Sequence, residues 1–245
     1  MPRKKRFYQP GVPVHVFQRG HNKEPVFFDV QDYLAYLRFL KAAADDLGCL
    51  IHAYVLMTNH VHLLATPKAE NDISLLFQNI GRHFVPYINK TYHRRGSLWE
   101  GRHKGNILES EAYFLVCMRY IEMNPVRAAM VDHPGQYRWS SYTANAHGID
   151  NAVLQPHALY LSLGDTCEMR QAAYRAGFDG ETRSDELELI RACLHSGTPL
   201  GNDHFKKKIE SAIGTRVGYS KRGRPIQEAG SSKNMGSRIK NIADV

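Results

Sequence analysis

Two apolar runs, Leu50–Met57 and Val61–Thr66, are joined through nothing longer than Thr58-Asn59. Apolar segments this short and this close read as the two strands of a hairpin at the centre of a sheet. Thr-Asn is a weaker turn pair than Asn-Gly, so the runs themselves carry the assignment. Upstream, Val14–Arg19 alternates as a first strand. Residues 31–47, with Leu34, Leu37, Phe39, Leu40 and Ala44, then give an amphipathic helix stopped at Gly48. Downstream, residues 72–93 read as a second helix and 103–108 as a fourth strand. Helical periodicity resumes from Ser110, taken as the N-cap, through Met123. Pro125 has no backbone N–H and forces a break.

The resulting order β-α-β-β-α-β-α predicts an α+β fold of the ferredoxin-like, split β-α-β kind, with an antiparallel sheet and packed helices. It occupies residues 12–132 inside a domain of residues 1–145. Past Trp139-Ser140-Ser141-Tyr142, the stretches 165–176, 184–195 and 203–213 read as short helices of a small helical region, residues 146–217. Gly197-Thr198-Pro199 divides the last two as in a helix-turn-helix. Residues 218–245 are rich in Gly, Ser and Lys and are expected to form a basic, flexible tail.

Composition narrows the function. At 43% apolar over 245 residues, the chain can fill a core. No apolar run nears the ~18 residues of a membrane span, and Met-Pro-Arg-Lys-Lys-Arg lacks the apolar segment of a secretory signal. Four dispersed cysteines, Cys49, Cys117, Cys167 and Cys193, give neither a disulfide framework nor a thiolate zinc site. These features point to a cytoplasmic, nucleoid-associated protein with no membrane partner. The net charge of +8 sits at the ends: residues 1–6 carry four cations and no acid, and residues 206–240 carry ten cations and two acids. Basic ends on a mildly acidic body suit a polyanion, and nucleic acid is the usual one.

The densest chemistry lies in Asn59-His60-Val61-His62. Residues two apart on a strand share a face, about 6.6 Å apart along the backbone, so both imidazoles can converge on one ion. With 13 histidines, chance alone supplies about 0.7 such triplets in a chain of this length, so context must carry the case. The context is a polar pair opening an otherwise apolar strand, which needs a reason to be there. A nucleophile and a further ligand are offered by Tyr120-Ile121-Glu122-Met123-Asn124, because residues four apart stack on one helix face. An Asn carbonyl oxygen can complete a site for a hard divalent cation. Tyr113, on the same stripe as Cys117 and Tyr120, is the rival nucleophile, but its neighbour one turn on is a thiol rather than an amide.

Four blocks, in order, then resemble the REP-associated tyrosine transposases of the single-tyrosine HUH superfamily. They are Gln18-Arg19-Gly20-His21-Asn22, His52 through Leu64, Leu98-Trp99-Glu100-Gly101-Arg102, and Arg119 through Ala128. The resemblance covers roughly residues 10–145. It implies that His60 and His62 are metal ligands, Asn124 the third ligand and Tyr120 the nucleophile, with Mg2+ or Mn2+ as cofactor. Many such enzymes carry Gln where Asn124 stands. The implied activity is sequence-specific cleavage and strand transfer on single-stranded or hairpin DNA through a 5′-phosphotyrosine, by a monomer or homodimer. A fold-sharing DNA-binding protein without turnover and an HUH replication initiator or relaxase are the alternatives.

The DNA contacts are expected from Arg3, Lys4, Lys5 and Arg6 at the N-terminus, and from Arg19, Arg94, Arg95, Arg102 and Lys104 in the body. Tyr92, His93, Trp99 and His103 interleave with the last four and suggest base stacking, with Trp99 as an anchor of the sheet the equal alternative. Lys221, Arg222 and Arg224 lie in the tail, where Arg222-Gly223-Arg224-Pro225 looks like the core of an AT-hook for A-T-rich duplex, a solvated basic tail being the equal alternative.

Overall fold

In the computed structural model, residues 6–180 and 183–214 are described. Four strands, β1 (Val14–Arg19), β2 (Leu50–Met57), β3 (His60–Thr66) and β4 (Lys104–Ile107), form an antiparallel sheet in the order β2-β3-β1-β4. Helices α1 (Val30–Leu47) and α2 (Asp72–Thr91) connect the strands, and α3 (Ser110–Glu122) follows them. This is the ferredoxin-like order expected from the sequence.

Local chemistry fixes the elements. The Asp29 side chain accepts from Gln31 N at the start of α1, where Asp29 and Asp32 complete a capping box, and Gly48 closes the helix at φ 65°. Ser110 is not the cap of α3. That position is Glu109, whose carboxylate instead accepts from the Asn202 backbone and side-chain nitrogens at 2.8 and 2.7 Å. Pro125 does break the helix: α3 ends at Glu122, and α4 (Asn124–Arg127) restarts with the proline in its first turn.

Strand alternation divides the interior in two. Val14 and Val16 of β1, Leu56 of β2, and Val61, Leu63 and Ala65 of β3 pack with α1 and α2 in one core. Ala53, Val55, Met57 and Leu64 pack on the opposite face with Phe114, Cys117, Met118 and Ile121 of α3. That second core also takes in Tyr142 and Ala146 of α5 (Tyr142–His147), Tyr160 of α6 (Ala158–Leu161) and Tyr174 of α7 (Cys167–Ala176). Ile190 and Cys193 of α8 (Ser184–Ser196) join it, whereas Ile209 of α9 (Asp203–Ile213) belongs to the first core. Helices α5 and α6 are too short to show periodicity and were not legible in the sequence.

Later segments cover both edges of the sheet. Leu56 N donates to Trp139 O and Gln155 N to Ile51 O along β2, while Leu200 N donates to Ile107 O beside β4. Covered edges offer no template to another chain.

One glycine is fixed by close approach. A Cβ on Gly20 would lie 2.3 Å from Glu24 O and 2.8 Å from Val26 Cγ1, and Gly20 N donates to Asn59 O at 2.8 Å. The end of β1 is thereby clamped to the turn that precedes His60.

Candidate functional site

Register brings the site together. His62 pairs with Phe17 on one side and Val55 on the other, and His60 pairs with Arg19 and Met57. His60 and His62 therefore share the face beneath α3 with His15, Phe17 and Arg19 of β1. Their rings stand 5.3 Å apart between centroids, nearly perpendicular. From α3, the Tyr120 ring closes edge-on against His62 at 5.9 Å and against His15 at 5.5 Å. Tyr113 makes no ring contact with these histidines among the described residues and packs at the margin of the second core.

Both histidines of the pair are held neutral. Burial, aided by the Arg19 charge, pushes the His60 imidazole down to about 4. Burial and then the neighbouring His15, His60, Arg127 and His195 hold His62 well below the ordinary imidazole value. A neutral imidazole offers one lone pair, and the hydrogen bonds decide which nitrogen carries it. His60 Nδ1 lies 2.6 Å from Asn59 Oδ1, an acceptor, so Nδ1 bears the proton and Nε2 the lone pair. Two neutral, converging imidazoles with an Nε2 available fit a divalent cation. Among the described residues, no group of three or more His, Cys, Asp and Glu suits a metal, so a third protein ligand would have to be of another type.

Asn124 is placed differently from the histidines. Its Nδ2 donates to Tyr120 O and Ile121 O, both at 3.1 Å, and thus caps the last turn of α3. Among the described residues, none of its hydrogen bonds reaches His60 or His62. The amide nitrogen is committed to the capping role, which leaves Oδ1 as the atom for any ligand.

The surroundings are cationic. Arg127 lays its guanidinium over the Tyr120 ring, Cζ 4.3 Å from the centroid, and donates to Tyr120 O. Burial lowers its guanidinium to about 10, which leaves it charged at neutral pH. Lys104 Nζ donates to His195 Nδ1 at 3.3 Å, and the His195 ring stands 6.2 Å from Phe17. His15, Arg127 and His195 were not singled out from the sequence. The only signal for His15 was a polar residue inside the alternation of the first strand.

Of the basic residues expected at DNA, Arg95, Arg102 and Lys104 are exposed. Arg19 pairs with Glu100 at 2.7 Å, and Arg94 approaches Glu24 at 3.6 Å while covering Phe28. Arg6 donates to His103 O. Arg3, Lys4, Lys5, Lys221, Arg222 and Arg224 lie outside the described residues. The expected base-stacking aromatics are largely occupied. Trp99 is buried in the first core, His103 is buried against Phe77 at 4.7 Å, and Tyr92 donates its hydroxyl to Asp32 at 2.8 Å. Anchoring the sheet, not stacking bases, is what Trp99 does here.

An open cavity of about 500 Å³, lined by Met123, His133, Tyr142, His147, Arg175 and Phe178 among others, lies apart from the histidine pair, none of whose residues line it. No helix of the described residues is long and apolar enough to cross a membrane.

The fold resembles that of a solved tyrosine transposase. A solved structure described as a REP-associated tyrosine transposase bound to a REP hairpin superimposes with a TM-score of 0.52 at 18% identity, covering 64% of this chain and 93% of that one. A putative transposase from Deinococcus radiodurans aligns at 19% identity with a TM-score of 0.34, covering 47% of this chain and 93% of that one. A comparison with curated proteins finds no match. Residues 9–124 match the family model described as "Transposase IS200 like". This stretch, a little under half of the chain, is similar to the IS200-like transposases.

Proposed function

We propose that this protein is a metal-dependent, sequence-specific single-strand DNA endonuclease and strand transferase that acts on hairpin or palindromic DNA. The observation that supports it most is the convergence of Tyr120 from α3 on His62 of β3, with His60 on the same face. Such convergence from separate elements is what a nucleophile and a phosphate-gripping site require.

In this reading Tyr120 Oη attacks the scissile phosphorus. The Oη–P bond forms and the P–O3′ bond breaks; the phenol proton is lost, and the departing 3′-oxygen takes up a proton. The products are a 5′-phosphotyrosine and a free 3′-hydroxyl. Because one phosphoester replaces another, a different 3′-hydroxyl can reverse the step without ATP. His60, His62 and Asn124 Oδ1 would hold Mg2+ or Mn2+, which supplies Lewis-acid polarisation of the phosphate oxygens. A tyrosine hydroxyl is almost wholly protonated at neutral pH, so it needs such a polarised target. The cations Arg19 and Lys104 suit the flanking phosphates, with His195, held neutral by burial, accepting from Lys104.

The hairpin as substrate is suggested by the REP hairpin bound to the structural neighbour and by the resemblance of the four sequence blocks. The test uses single-stranded oligonucleotides carrying the palindromes that flank the protein's own gene, incubated with Mg2+ or Mn2+. Cleavage should leave 3′ ends that a polymerase extends directly. Products with 3′-phosphates, or equal cutting of scrambled sequences, would contradict the proposal.

A further inference from the structure

His15 is fully buried in β1, and its Nε2 lies 2.8 Å from His62 Nδ1 with the rings stacked at 5.1 Å. A buried N···N hydrogen bond with no carboxylate bonded to either ring among the described residues is one between two neutral imidazoles. Each ring then carries one N–H, and one proton lies between them. If His15 Nε2 donates, His62 is left with its own proton on Nε2 and has no lone pair to offer there. If His62 Nδ1 donates, His62 Nε2 is free to ligate, and the His15 proton moves to Nδ1.

His15 Nδ1 is buried and has no hydrogen-bond partner among the described residues. A stranded lone pair on that atom is tolerated more readily than a stranded N–H. The ligating arrangement therefore places a buried N–H where no described residue receives it. Metal-binding histidines ordinarily donate their second N–H to a carboxylate, carbonyl or water; here the acceptor is another imidazole, which can itself hold the proton in the opposing sense.

We propose that His15 is a positioning residue for His62: it accepts the His62 Nδ1 proton, and binding of a divalent cation is coupled to a change of tautomer in His15 with no change in net charge. This rests on the reading of His60 and His62 as metal ligands.

The test is Mn2+ affinity of the full chain without DNA, followed by the electron paramagnetic resonance of free Mn2+. His15→Leu removes the acceptor and should weaken Mn2+ by 10- to 100-fold. His15→Gln, whose Oε1 reaches the position of the imidazole Nε2, should stay within a few-fold of the unsubstituted protein. If His60→Ala and His62→Ala lose Mn2+ but His15→Leu binds it as tightly as the parent, the role of His15 is overturned and the metal site stands. If the parent binds no Mn2+, the metal site itself falls, and His15 with it. A second measurement needs no variant. Nitrogen-15 spectra of the histidine side chains, with saturating Mg2+ or with Zn2+ as a tighter diamagnetic probe, should show protons on His62 Nδ1 and His15 Nδ1. A loaded protein that keeps the proton on His15 Nε2 would refute the coupling.

Discussion

Glu122 sits one half-turn beyond Tyr120 on α3 and is wholly buried. Its carboxyl accepts from Ser141 Oγ, from Asn145 Nδ2 at 2.8 Å and from Tyr174 Oη at 2.7 Å, with no cation paired to it among the described residues. Burial raises it from the usual 4.5 to about 7. The folded protein thus keeps a proton that the unfolded chain releases above pH 4.5. The stabilisation is complete below that value and disappears as pH rises through about 7. A carboxyl displaced that far is worth about 3 kcal/mol between pH 5 and pH 8. Glu122→Gln keeps one acceptor oxygen for Ser141 and Asn145, gives Tyr174 an N–H donor, and never ionises. Urea unfolding of both proteins at pH 5 and pH 8 isolates the effect, because the other titrating groups cancel in the difference. The variant should gain about 3 kcal/mol relative to the parent on going to pH 8. A difference that does not move with pH, or a variant several kcal/mol less stable at pH 8, would show that the site holds an ionised carboxylate.

The remaining predictions concern the site and its frame. His60→Ala and His62→Ala should abolish divalent-dependent cleavage, whereas Asn124→Ala should be milder because water can replace a neutral amide oxygen; full cleavage in EDTA would remove the metal from the account. Gly20→Ala should cost about 1–3 kcal/mol in thermal or urea unfolding, because backbone blocks its Cβ; an unchanged midpoint would refute that packing. Deleting residues 218–245, with Lys221, Arg222 and Arg224, should weaken hairpin binding and flatten its salt dependence while leaving single-turnover cleavage at saturating protein intact. Equal affinity with an unchanged salt slope would make that segment only a solubilising extension.

The hairpin, the flanking helices and the order of the strands were legible because strong periodicity and Gly48 punctuate them. The pairing of His60 with His62 was legible for the same reason, since alternation on a strand is fixed by backbone geometry. His15 was not, because its meaning depends on the β1–β3 register that sets Phe17 against His62. Trp99, Tyr92 and His103 could not be assigned for a related reason: a basic, aromatic stretch does not say which side chains turn inward. Glu109, not Ser110, stands at the cap position, and its carboxylate is taken by Asn202, 93 residues on, a contact no local rule contains.

The most direct measurement is the covalent adduct. The oligonucleotide is labelled at its 3′ end, incubated with protein and a divalent ion, and run on a denaturing gel. The account predicts a labelled protein band that survives denaturation, is absent in Tyr120→Phe, and persists in Tyr113→Phe, with hairpin binding by Tyr120→Phe nearly unchanged. An adduct that survives Tyr120→Phe, or that disappears only in Tyr113→Phe, would contradict the assignment of Tyr120 as the nucleophile.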